Sequence, residues 1–130
     1  MKKILAPILL ALTFSVVFSP SSFADWTKVS ESVNGSVFYV DFERIRKHGG
    51  YVYYWQLGDH LKPDEFGHLS GKSYFQVDCK LLRYKYLSIV GYKGPMGTGT
   101  SESFNYNETN WRYPPPDTSK ETILKSVCSR

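Results

Sequence analysis

The hydrophobic pattern changes character along the chain. After Lys2 and Lys3, residues 4–18 are almost entirely apolar. Beyond residue 25 no such run recurs. Apolar and polar residues instead alternate in short segments broken by Gly, Pro and Asn, the period of half-buried strands. Only near the C-terminus do apolar positions adopt helical spacing.

Residues 26–31 predict a first strand, Asn34-Gly35 a turn of the kind that two-residue hairpins prefer, and residues 36–41 a second strand. In FERIRKHGG, charges surround Ile45 and Gly49-Gly50 frees the backbone to turn. YVYYWQL places Tyr51, Tyr53, Trp55 and Leu57 on one strand face and Val52, Tyr54 and Gln56 on the other. The polar stretch GDHLKPDEFGHLSG is the clearest loop. Strand character then resumes at Lys72 and meets no Gly or Pro until Gly91. An unbroken strand of about 18 residues would reach roughly 60 Å, against about 33 Å for a domain of this size. The chain must therefore bend or reverse near residues 80–83, by a bulge or a tight hairpin. GPMGTG is a loop, and residues 100–107 suit a further strand.

Pro114, Pro115 and Pro116 forbid helix before them, and Thr118-Ser119-Lys120-Glu121 has capping-box spacing, so a helix begins near Ser119. Ile123, Leu124, Val127 and Cys128 share one face of it, while Lys120, Lys125 and Ser126 are expected to point elsewhere. A helix this short is marginal alone and needs the sheet.

The basic start, the apolar run and the small residues Ser22 and Ala24 read as a secretory signal cut between Ala24 and Asp25. The apolar stretch falls short of the roughly 20 residues that span a bilayer, and no cysteine follows to accept a lipid. Residues 25–130 then form one exported domain, periplasmic or secreted, with no membrane anchor. Of sixteen Lys and Arg, two leave with the leader; fourteen remain against twelve Asp and Glu, a net charge of +2. That charge is too small to argue for nucleic acid. Aromatic density changes the picture more: of 21 Phe, Trp and Tyr only Phe14, Phe18 and Phe23 lie before residue 25, so the domain should be rich in sheet.

Cys79 shares a strand face with Phe75, Val77 and Leu81, and Cys128 lies on the apolar face of the helix. Two such cysteines in an exported chain most simply form one disulfide. C-x-x-C spacing, which a redox pair or metal site would favour, is absent.

The best catalytic constellation is the loop with Asp59, His60, Asp64, Glu65 and His68, whose imidazoles and carboxylates could ligate zinc or a harder metal. Its spacing matches no helix-borne metal motif, and solvated loop polarity explains it more simply. No G-x-S-x-G occurs, and the glycines of GYKGPMGTGT lack the ending of a phosphate loop. RYKY, which is Arg83, Tyr84, Lys85 and Tyr86, interleaves cations with aromatics as protein-binding surfaces do. Tyrosines in the core with cations solvating the sheet would leave the same pattern.

Trp26, FYVD, YYWQL, VDCK, RYKYL, GPMGTG, NWRYPPP and LKSVC, in that order, together resemble the surface-adhesin E family of small exported bacterial proteins over nearly all of residues 25–130. The resemblance implies an α+β fold: a mainly antiparallel sheet of about six strands with the C-terminal helix packed on it and tied by a Cys79–Cys128 bridge. It also implies a binding module with no cofactor and no catalysis, contacting a host matrix or envelope protein. Self-association is compatible with it. The namesake adhesin looks lipid-anchored, whereas no cysteine follows the leader here. The competing class is a metal-dependent periplasmic enzyme built on the 59–68 loop.

Overall fold

The computed structural model describes residues 24–130, so the leader expectation for the preceding residues lies outside it. Seven strands form one antiparallel sheet: β1 (Thr27–Glu31), β2 (Val37–Val40), β3 (Arg46–His48), β4 (Tyr51–Asp59), β5 (Ser70–Asp78), β6 (Arg83–Tyr92) and β7 (Ser101–Asn105). The helix α1 (Ser119–Cys128) follows. The spatial order is β1-β2-β4-β5-β6-β7, with β3 also pairing β4. β2 pairs with Gln56 to Asp59 and β3 with Tyr51 to Tyr53, so the two lie end to end along β4, separated by the short 3-10 turn Phe42–Arg44.

The inner face of the sheet presents Val40, Val52, Tyr54, Phe75 and Val77, and α1 lays Ile123, Leu124 and Val127 on them. All three helix side chains are buried, each contributing roughly 1.5–3 kcal/mol relative to exposure. Thr118 Oγ1 accepts the Glu121 amide at 3.3 Å, as capping-box spacing predicts. The Glu121 carboxylate reaches one residue further back, to the Asp117 amide at 3.1 Å. The Cys79–Cys128 bridge is present, with Cα atoms 5.6 Å apart, and ties the last turn of α1 to the end of β5.

Three local expectations change, and one strand is unforeseen. Arg46–His48 forms a strand that the sequence pattern does not announce, and the turn expected at Gly49-Gly50 is present, with both glycines at positive φ. The turn at Asn34-Gly35 is wider than two residues: the ladder ends at Glu31 opposite Val37, and the Ser32 amide closes it onto the Ser36 carbonyl. Between β5 and β6 the expected reversal is present and is the tight hairpin, turning over residues 79–82 with Leu82 at φ +50°. A separate bulge opposite Tyr74 and Phe75 shifts the register. Leu81 therefore lies in the turn and is exposed, while Leu82 packs against the core.

Lys120 is the third change. Positions 120, 123, 124 and 127 form one helical stripe, and Lys120 follows it inward. Its Nζ lies 3.1 Å from the Phe75 ring centroid and 4.4 Å from that of Tyr84. It donates to Tyr54 Oη at 2.7 Å and Gln56 Oε1 at 3.1 Å. Burial pushes this ammonium well below the usual lysine range.

Candidate functional site

Helix α1 covers only part of the inner face. Beyond it, register brings Gly58, Gly71 and Gly91 side by side on β4, β5 and β6, between Phe38 on β2 and Glu102 on β7. Without Cβ atoms these glycines floor a groove of about 420 Å³. Neighbouring rings lie over the floor: a Cβ on Gly91 would fall 2.4 Å from His68 Nδ1, and one on Gly58 would fall 3.3 Å from the Phe38 ring.

The loop between β4 and β5 supplies one wall. His68 is buried, with Nε2 2.8 Å from Glu102 Oε1. Asp64 Oδ1 accepts the amides of His68 and Phe66, both at 2.9 Å. Burial raises the Asp64 carboxyl, but these two amides and the nearby His68 and His60 outweigh it and leave the group below its usual range. His60 Nδ1 sits 2.9 Å from Ser36 Oγ. Thus His60, Asp64 and His68 do line one groove. Asp59 is elsewhere, since its Oδ1 accepts the Met96 amide at 2.7 Å, and Glu65 is exposed. Among the described residues no three His, Cys, Asp or Glu side chains are grouped to hold a metal ion. The loop's polar groups tie it to itself and to neighbouring strands.

Among the described residues no α-helix covers the outer face, and the short 3-10 turn Pro95–Gly97 lies against it, near Leu57 and Lys72. Strand alternation places Tyr51, Tyr53 and Trp55 of β4 there with Tyr74 of β5. Trp55 and Tyr74 have centroids 4.8 Å apart, and Tyr53 and Tyr74 6.2 Å apart. Tyr51 meets Trp111 at 5.5 Å. Arg83 and Lys85 each lie 4.5 Å from the Trp111 ring centroid. All of these aromatic rings are half-buried.

The RYKY quartet consequently divides between faces. Arg83 and Lys85 point outward to Trp111, while Tyr84 and Tyr86 point inward, packing on Phe75 at 5.6 and 4.6 Å. Arg83 Nε also donates to Asp78 Oδ2 at 2.8 Å. Burial raises the Asp78 carboxyl, yet Arg83 and the amides of Leu81 and Lys80 hold it below the usual range. The segment carrying Trp111 is fixed by a bridge between Tyr84 and Arg112 and by Glu108, which accepts the Tyr86 amide at 2.8 Å and pairs with Arg112 at 2.7 Å. Trp111 escapes a sequence reading of this surface because it is remote from RYKY along the chain. Its position inside NWRYPPP, next to a cation, is the signal that could have found it.

The family model for surface-adhesin protein E matches residues 26–129. None of the curated proteins compared matches the chain. Among solved structures, Haemophilus influenzae protein E is similar at 16% identity and a TM-score of 0.60, over 80% of this chain and 87% of that one. A selenomethionine form of the same protein gives 16% identity and a TM-score of 0.61, over 81% and 86%. Protein E from non-typeable Haemophilus influenzae gives 16% and 0.55, over 80% and 75%. At that identity the likeness is one of fold. Among the described residues no helix is long and apolar enough to cross a membrane.

Proposed function

The chain belongs to the surface-adhesin protein E family, and from that premise we propose that it is an exported, non-enzymatic binding module whose outer sheet face contacts a protein partner, a host matrix or envelope component. The observation that carries this reading is Trp111, with Arg83 and Lys85 both against its ring on a face that α1 leaves open. Half-buried Trp and Tyr give contact area at small entropic cost, and cations beside them add charge-assisted hydrogen bonds. Of the RYKY quartet, Arg83 and Lys85 make the contact, while Tyr84 and Tyr86 hold the strand from inside. Export and the soluble state rest on removal of residues 1–24.

Binding to immobilised matrix proteins and to envelope fractions tests it. Trp111→Ala should speed dissociation at every salt concentration, whereas Lys85→Ala should chiefly slow association at low salt. Capture undiminished by a folded Arg83→Ala, Lys85→Ala, Trp111→Ala triple variant would refute this placement of the site.

A further inference from the structure

The carboxylate of Asp41, just past β2, has little support for its depth. The residue is 1% exposed, and neither oxygen has a hydrogen-bond partner among the described residues. Arg44 Nε forms an ion pair with Oδ2 at 3.3 Å from a guanidinium that is itself partly in solvent. A buried carboxylate calls for N–H donors on both oxygens. Asp41 opens onto an outer-face groove of about 570 Å³ also lined by Ala24, Trp26, Arg44, Trp55 and Lys72.

The ladder between β1 and β2 shows what can reach it. The register ends by pairing Thr27 with Val40, Trp26 and Asp41 just beyond that pair line the same groove, and the Asp25 nitrogen is next along the chain. Antiparallel neighbours lie about 4.5–5.5 Å apart at Cα, and a free terminus at Asp25 can pivot about its own backbone. In the uncut chain that nitrogen is a neutral amide.

We propose that Asp41 is the counter-ion of the chain's own α-ammonium, created when a leader-cleaving protease hydrolyses the Ala24–Asp25 bond. One water is consumed, and the new carboxylate departs on Ala24. The amide nitrogen of Asp25 becomes an –NH₃⁺ with three donors beside the buried carboxylate. Arg44 and Lys72 repel that ammonium, while Asp41 and the exposed carboxylate of Asp25 attract it. Processing thereby gives the buried carboxylate a second cation besides Arg44, one that the precursor lacks, and distinguishes the finished protein energetically from the uncut chain. The inference rests on the leader reading and goes beyond the binding role.

The test uses the processed protein recovered from cells. Mass spectrometry first defines its N-terminus. The α-amine is then titrated by NMR in wild type and in Asp41→Asn, and thermal melting is followed from pH 6 to 9.5 before and after selective acetylation of the α-amine. In wild type the amine should titrate above the ordinary α-amine range of about 7.7–8.0. A raised folded pKa gives stability that is complete below the unfolded value and lost as pH rises through the folded one. Acetylation should lower the melting temperature of wild type and leave that of Asp41→Asn nearly unchanged. An ordinary α-amine titration in wild type overturns the pairing even if the N-terminus is Asp25. An N-terminus other than Asp25 overturns the proposal through the leader reading, and the two failures are thus told apart.

Discussion

Replacing Lys120 by Met keeps the apolar stem and removes the charge, which makes it a clean probe of the core. Among the described residues no carboxylate pairs with this ammonium. Withdrawing it from water costs several kcal/mol after relaxation. Against this, the Phe75 face contributes about 2 kcal/mol when desolvated, and the more distant Tyr84 face less. The two charge-assisted hydrogen bonds add roughly 1.5–3 kcal/mol each. The terms nearly cancel. Tyr54 and Gln56 are not orphaned by the change, because Tyr54 Oη already donates to Gln56 Oε1 at 2.8 Å. Lys120→Met should therefore lie within about 2 kcal/mol of wild type, whereas Lys120→Ala, which also empties the stem's space, should cost about 2–4 kcal/mol by analogy with other large-to-small core changes.

The pH dependence is sharper. Because burial lowers the folded pKa of Lys120, the unfolded chain binds the extra proton between the folded value and about 10.4. Wild-type stability must rise with pH across that window, and Lys120→Met must lack this rise. The buried Tyr54 hydroxyl, raised well above its ordinary value by burial and by Tyr86 and Tyr84, acts oppositely: its contribution is lost once unfolded tyrosine ionises near pH 10. Urea denaturation from pH 7 to 9.5 stays below that region, and the difference between the two proteins isolates Lys120. Parallel curves, or a loss above about 3 kcal/mol in Lys120→Met, would refute the reasoning.

Cys128→Ser should reduce stability by up to about 4 kcal/mol, since the bridge joins residues at a sequence separation of 49, and hydrogen exchange should locate the loss in α1. Retained protection of the α1 amides would show that the helix holds without its staple. Gly91→Ala should displace His68 and break its contact with Glu102, because the new Cβ would fall 2.4 Å from Nδ1. Adding His68→Ala should recover part of the lost melting temperature, and a double variant no more stable than Gly91→Ala would contradict this.

The strands with one dry and one wet face were legible because alternation reports burial on one side only. β3 was not, since Arg46, Lys47 and His48 are all exposed and carry no period. The hairpin at residues 79–82 lacks Gly or Pro, yet Asp78 accepts the amides of Lys80 and Leu81 at 3.1 and 3.3 Å. An aspartate closing a strand was thus the turn signal available. Lys120 was misplaced because its residue type outweighed its place in the 120, 123, 124, 127 stripe. Of the two surfaces, Arg83 and Lys85 were visible as cations beside aromatics. The glycine-floored groove was not, for Gly58, Gly71 and Gly91 have no common spacing and meet only through strand register.

The order in which the chain is made gives the position of α1 a kinetic meaning. The sheet neighbours are joined by short connections, and the strands can pair as they emerge. The layer that closes their inner face consists of residues 119–128, which are synthesised after every strand of the sheet. Until these arrive, Val40, Val52, Tyr54, Phe75 and Val77 have no lid, and Cys79 has no partner. Core closure and oxidation accordingly follow the synthesis of all seven strands, and a nascent chain interrupted anywhere before Ser119 carries a sheet whose inner face is bare.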